Sequence, residues 1–488
     1  MPQKGKKSQA DTKTKQASVS TKGKEMAKKL LAEYPNLWDV ASKEDIKKME
    51  TLSKEYKSYL DMGKTEREFV SYTISAAEKK GFLDISSVSS LTPGQKVYKS
   101  IKGKGLMLSV IGKSPVTDGF NILGAHIDSP RLDLKPNPLY EDNELVFLKT
   151  HYYGGVKKYQ WPTIPLSIHG LIICSDGTKV FLNIGEKEDD PVFYITDLLP
   201  HLGNEQMAKK ATDVIRGEDL NLLVGGRPME DTDVSQRFKL GVLELLHNEY
   251  GIVEKDFVSA EIEIVPAMKA RDVGFDRSFI AGYGHDDKVC AYPALAALFD
   301  QKAPEKTVVV MLSDKEEIGS YGNTGAQSRL YENFLLEVFS KSYGEYNELL
   351  YRQAIENSKL LSADVTNGFD PTFASVSDPR NAAYMSKGVV MEKYTGSRGK
   401  SGTNDANAEF FFEILQAFSQ KNIPWQTGEL GKIDAGGGGT IAVYMAKMGM
   451  EVIDCGVPVL AMHSPYELIS KMDLYYTYLA YKTFVENL

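Results

Sequence analysis

The segment GFNILGAHIDSPRLDLKP, residues 119–136, decides the fold. Its first half, Phe120 to Ala125, is a short apolar run of the kind that forms a buried strand. It ends in a polar cluster with His126 and Asp128 two residues apart. Open α/β sheets put their chemistry just beyond such carboxyl ends of strands. KTVVVMLSDKEEIGS (306–320) repeats the pattern, a buried strand running into a charged loop. Upstream, Lys96 to Lys99 and Gly105 to Ile111 read as strands. Residues 25–34, 43–62 and 65–81 read as helices, with apolar side chains at i, i+3 and i+4. Downstream, helices are expected near 326–342, 405–421 and 470–486, with a Gly-rich turn (GGGGTIAVYMAKMGM, 436–450) entering another.

Between these halves the texture changes. Residues 135–276 are rich in Tyr, Ile, Val, Gly and Pro, with alternating runs such as GLIICSDGTKVFLNIG (170–185) and SAEIEIVPA (259–267). Ser175-Asp176-Gly177-Thr178 is a turn between two of those runs, so a β-hairpin is expected. The organisation this predicts is one α/β domain, residues 25–134 and 277–488, interrupted by an inserted β-rich domain over 135–276. No internal repeat is present.

Composition narrows the class. At roughly 150 residues per domain, 488 residues suggest two to three domains. A 42% hydrophobic content is enough for sizeable cores. Three widely spaced cysteines, Cys174, Cys290 and Cys455, rule out a disulfide framework and favour a cytoplasmic setting. The net charge of −8 argues against nucleic acid as a partner, and no apolar run is long enough to span a membrane. The charge is unevenly spread: residues 1–24 hold seven Lys and one Asp, a disordered basic tail of +6 that leaves −14 on the rest.

His and paired acids collect at the ends of apolar elements. His126 and Asp128 follow one strand, Glu316 and Glu317 another; Asp286 and Asp287 precede a helix; Asp364 follows KLLSA, and His463 follows VPVLAM. Burying so many carboxylates without counter-charge is costly, and few Lys or Arg lie in these segments to supply it. A divalent metal is the simplest physical answer. Imidazole with carboxylate suits Zn²⁺, Co²⁺ or Mn²⁺. Two His and three or more carboxylates exceed one tetrahedral site and fit two ions about 3.5 Å apart, sharing a carboxylate and a water. In an extended segment adjacent side chains point to opposite sides, so one Glu of the 316–317 pair can bind metal while the other accepts a proton.

The ordered set GAHIDSPRLDLKP (124–136), GHDDKVCAY (284–292), SDKEEIGS (313–320), SADVTNGFDP (362–371) and MHSPYE (462–467) closely resembles the M18 family of dinuclear zinc aminopeptidases. The resemblance runs from about residue 25 to the end, and GHDDKVCAY looks more like the aminopeptidase I branch than the aspartyl branch. It implies a three-layer metallopeptidase domain, a mixed sheet between helices, with the insertion as the dimerisation domain. It implies two Zn²⁺ per subunit, with Asp286 bridging, His126 and Asp364 on one ion, and Glu317 and His463 on the other. Glu316 would be the general base, and Asp128 would orient His126. WPTIPLSIHGL (161–171) resembles the stretch that supplies a histidine to a neighbouring subunit, which makes His169 a transition-state stabiliser in trans. A homo-oligomer, a tetrahedral dodecamer, and peptide substrates with a free N-terminus follow. Asp287 stands where the aspartyl branch commonly has Asn, and GSRGKSGTNDANAE (396–409) departs from the aspartyl form.

Secondary features carry two readings each. The glycines 436–439, with Gly437 and Gly438 at their centre, suit either a contact to the substrate backbone or a tight turn. Lys393, Arg398 and Lys400 could meet an acidic substrate side chain or belong to a solvated loop; His285 and Cys290 read as structural. The function expected is a zinc-dependent aminopeptidase that releases acidic or neutral N-terminal residues. The alternatives are a related dinuclear carboxypeptidase or deacylase, and a non-catalytic self-assembling shell protein.

Overall fold

The computed structural model describes residues 22–488. The basic tail therefore lies outside the described residues except for 22–24. Those three residues, expected in the disordered tail, are helical, and the helix described through residue 30 ends ahead of the expected residue 34. No helix of the described residues is long and apolar enough to cross a membrane.

Local signals set the first long helices. Ser42 and Asp45 form a capping box at the start of Lys43–Met62, and Thr65 and Glu68 form another at the start of Glu66–Lys79. Met49, Tyr56 and Leu60 lie on the face that Lys43–Met62 turns inward, at helical spacing. These helices pack, with His285–Phe299 and Lys471–Asn487, on one face of a nine-stranded mixed sheet. Arg329–Tyr343, Glu348–Glu356 and the short Ala442–Ala446 cover the other face. The result is three layers, helices on both sides of one sheet.

Four central strands of that sheet run parallel: Thr307–Ser313, Phe120–His126, Lys359–Ser362 and Glu451–Gly456. The first two are buried along their whole length, as near-continuous apolar parallel strands should be. Their register fixes the site. Ser313 is level with His126, and Ser362 is level with Gly124. Residues just past Ser313 and Ser362 therefore emerge beside His126 at one edge of the sheet.

The stretch between the two halves builds a second sheet. It has six antiparallel strands in the order Lys179–Ile184, Leu166–Ile173, Glu261–Pro266, Arg131–Asp142, Leu145–Tyr153 and Leu222–Gly225. The helix Arg237–Tyr250 lies against it around a core that includes Trp161. Gly177 closes the hairpin turn at φ +88, donating its N–H to the Cys174 carbonyl. The sheet begins at Arg131, ahead of the expected residue 135, because Leu132 and Asp133 already pair with Ile264 and Glu263. At the far end Arg271–Val273 has left it, joining a small sheet with Phe279–Gly282 and Glu467–Ser470.

Candidate metal centre

The parallel register delivers ligand-type side chains to one place. His126 is the last residue of its strand, Glu316 and Glu317 form a short turn three residues past Ser313, and Asp364 lies two past Ser362. Asp286 comes from the opposite direction, in the first turn of His285–Phe299, where its backbone and that of Asp287 are not yet helical. Gly284 before them is at φ +77, and a Cβ there would lie 2.8 Å from both Lys288 Nζ and Ser129 Oγ. Only glycine fits that close approach. Ser129 in turn donates to the Asp286 carbonyl at 2.8 Å.

Asp286 is the hub. Its Oδ1 lies 3.1 Å from His126 Nε2 and its Oδ2 lies 3.2 Å from His463 Nε2. Two triads share it: His126, Asp286 and Asp364 form one, and Asp286, Glu317 and His463 the other, each with ligand atoms within 4.8 Å of one another. Glu316 Oε2 stands 3.9 Å from His126 Nε2.

Asp128 organises this edge. Its backbone carbonyl is 3.0 Å from His126 Nδ1, and Oδ1 is 3.3 Å from the same nitrogen. Oδ1 also accepts the Glu316 N–H and Oδ2 the Glu317 N–H, at 3.1 and 3.2 Å. One carboxylate thus orients an imidazole and both acids of the following turn.

The electrostatics ask for positive charge. Burial, then the nearby Asp286 carboxylate, pushes Glu317 well above the carboxylate range; burial, then Asp287, does the same to Asp364. Burial also pushes Glu316 up to about 7. Burial acts on Asp286 in the same direction, but the hydrogen bonds from His126 and His463 hold it below its ordinary value. Burial lowers His463, yet the Asp286 hydrogen bond and the Glu317 and Asp286 charges bring it to about 10. Glu317 Oε1 is buried with no hydrogen-bond partner. A shared carboxylate, two imidazole nitrogens turned toward it and an orphaned buried oxygen fit a divalent metal of the zinc type.

The remaining sequence candidates divide. Gly437 and Gly438 line the same cavity of about 460 Å³ as Asp286, Glu317, Asp364 and His463, with Glu316 in its wall. Lys393 does not. Its Nζ lies 3.4 Å from Asp405 Oδ1 and its side chain is 47% exposed. It follows the strand Val389–Glu392, all four residues of which are buried, and is the first exposed residue beyond it. Lys400 is likewise engaged by Asp405, at 2.7 Å. His169 lies on the strand Leu166–Ile173, apart from the two triads. It is buried in its own chain, with Nδ1 2.7 Å from Glu68 Oε1 and Nε2 3.1 and 3.2 Å from Ser167 Oγ and Glu186 Oε1. Both ring nitrogens are engaged within this chain.

Two residues escaped the sequence reading. Glu467 accepts the Asp286 and His463 backbone N–H groups, and burial pushes its carboxyl up to about 8. It stands in MHSPYE, where only its place after His463 marked it. Glu392, buried on the cavity wall, accepts a hydrogen bond from Thr366.

A central parallel sheet with an imidazole–carboxylate cluster at its carboxyl edge defines a metal-dependent hydrolase. The sequence model of the family described as "Aminopeptidase I zinc metalloprotease (M18)" matches residues 59–485. A probable M18 family aminopeptidase 1 of Clostridium acetobutylicum is 51% identical over 466 residues, 95% of this chain and 100% of the relative. The crystal structure of an M18 aminopeptidase from Thermotoga maritima superposes with a TM-score of 0.90 at 43% identity, covering 94% of this chain and 100% of that one. The mApe1 dodecamer of S. cerevisiae, 20% identical, shares the fold at a TM-score of 0.72, over 89% of this chain and 96% of that one. The chain belongs to the M18 family of zinc metallo-aminopeptidases.

Proposed function

We propose that this chain binds two zinc ions through the two triads, with Asp286 shared, and removes single residues from peptides with a free N-terminus. The observation that carries it is the division of Asp286, one oxygen toward His126 and the other toward His463. His126 and Asp364 would hold one ion and Glu317 and His463 the other. Zinc supplies Lewis acidity toward water and a peptide carbonyl. Glu316, on the cavity wall, accepts the proton of the attacking water and returns it to the leaving amine. A carboxyl raised to about 7 by burial suits a group that must take and give a proton near neutrality. Asp128 keeps Glu316 in place through its backbone N–H. Gly437 and Gly438 leave room for the substrate backbone against the far wall.

The same cavity favours a neutral first residue over an acidic one. Glu392, Glu316 and Glu317 line it together with Leu430 and Met462, and among the described residues no Lys or Arg does. The inserted domain is the assembly module of a homo-oligomer, a tetrahedral dodecamer on the family pattern. Phe181, Leu202, Met207 and Leu245 of the insertion are each at least 67% exposed, apolar surface that a neighbouring copy would cover. Three free, buried cysteines suit a reducing cytoplasm.

The deciding experiment is Glu316→Gln. Zinc content and oligomer mass are expected to stay at wild-type values while kcat on leucyl p-nitroanilide falls about 10²-fold or more. Near-normal turnover would overturn the base assignment, and equal activity on N-blocked peptides would favour a deacylase or carboxypeptidase.

A further inference from the structure

We infer that Tyr153-Gly154-Gly155, where the inserted strand Leu145–Tyr153 ends, is a positioning element of the metal centre, setting the His463 ring and the Asp128 carboxylate. The inference rests on the two-ion reading above. Three contacts carry it. The Tyr153 hydroxyl donates to Asp128 Oδ2 at 2.8 Å. Gly154, at φ +75, lies so close to Glu317 that a Cβ would be 3.3 Å from its Cβ and from Oε2. The Gly155 carbonyl lies 3.0 Å from His463 Nδ1.

A carbonyl oxygen only accepts, so Nδ1 of His463 carries the proton and Nε2 presents its lone pair. Nε2 faces Asp286 Oδ2 at 3.2 Å and Glu317 Oε2 at 3.5 Å. An imidazole that binds metal through one nitrogen needs the other held in this way, which fixes tautomer and ring orientation. His126 is arranged alike, but its acceptor is the Asp128 carbonyl two residues along. The acceptor for His463 lies 308 residues away, two residues past the end of the inserted strand Leu145–Tyr153. His463 sits in a turn at φ +64 with its side chain 34% exposed, so its own loop does little to hold the ring.

The segment is itself anchored. The Arg131 guanidinium stacks 4.0 Å from the Tyr153 ring centroid and pairs with Glu66 at 3.4 Å and Glu263 at 3.3 Å. Glu66 comes from the catalytic domain and Glu263 from the inserted sheet. The catalytic segments thus bring the ligands, and the inserted sheet brings the orientation of one half-site and part of the other.

The test strips the full chain with chelator and titrates it with zinc, then with cobalt while recording the visible spectrum. Gly154→Ala is expected to weaken one of the two ions by about 10- to 100-fold and to change the cobalt bands, with circular dichroism and oligomer mass unchanged. Tyr153→Phe, which removes a single hydroxyl, is expected to lower kcat several-fold at unchanged KM and to shift the cobalt bands less. Tyr152→Phe, whose ring is 40% exposed, is expected to match the wild type throughout. Wild-type zinc affinities and cobalt spectra in both Gly154→Ala and Tyr153→Phe would overturn the proposal. If Gly154→Ala misfolds, Tyr153→Phe decides it. A wild type that binds one ion would count against the two-ion reading, and the cobalt spectrum of that single site would still read the segment.

Discussion

Glu467 accepts the His463 N–H on one carboxylate oxygen at 2.7 Å, while its other oxygen takes the Asp286 N–H at 3.0 Å. A residue outside both triads therefore ties together the backbones of two that belong to them. Glu467→Gln keeps the shape but turns an amide NH₂ toward one of those N–H groups. We expect zinc affinity to fall about 10- to 100-fold, read by competition with a chromophoric chelator. Unchanged affinity would mean that the loop holds His463 without this carboxylate.

Asp286→Asn removes the shared negative charge and leaves one oxygen where two were used. Elemental analysis after dialysis is expected to find fewer than two zinc ions per chain. Full occupancy would show that the two triads do not depend on a common carboxylate.

The direction of substrate choice follows from the cavity wall. On aminoacyl p-nitroanilides of Leu, Lys, Asp and Glu, we expect kcat/KM for Leu to exceed that for Asp by about tenfold or more, since among the described residues no Lys or Arg lines the cavity to pair with an acidic side chain. A preference for Asp would contradict the lining.

Glu392 also gives a pH signature. Burial raises its carboxyl to about 8, against an ordinary value of 4.5. Over that window the folded chain holds a proton the unfolded chain has released. The stability contributed is complete below about 4.5 and is lost as pH rises through about 8. Glu392→Gln has no proton to lose. At saturating zinc, the melting temperature of the variant relative to the wild type is expected to be higher at pH 9 than at pH 6. Parallel curves would show that Glu392 is ionised throughout.

The strand ends were the legible part of the site. Phe120–His126 and Thr307–Ser313 are buried on both faces, so their apolar runs stop where the chemistry starts, and His126, Glu316 and Glu317 stand at those stops. What escaped was set by contacts between distant segments. Tyr153 carries no signal in its own stretch, because its partner, Asp128, belongs to the other domain. His169 was read from its own stretch alone, while its ring is held by Glu68 and Glu186, from a helix and a loop that stretch does not contain. Lys393 follows a strand buried on both faces, so no alternation in the sequence marks where burial stops. Lys22, Gly23 and Lys24, tail-like in composition, are already helical.

The pairing of Ser313 with His126, and of Ser362 with Gly124, has a consequence for refolding. A slip of one residue would carry Glu317 or Asp364 about 3.3 Å along the sheet and reverse the side chains of the slipped strand. No misregistered chain can be a slightly poorer catalyst, because the backbone ladder is also the ruler of the site. Incomplete refolding should therefore yield fewer active molecules, each with full turnover, and titrated active sites should fall in step with total rate.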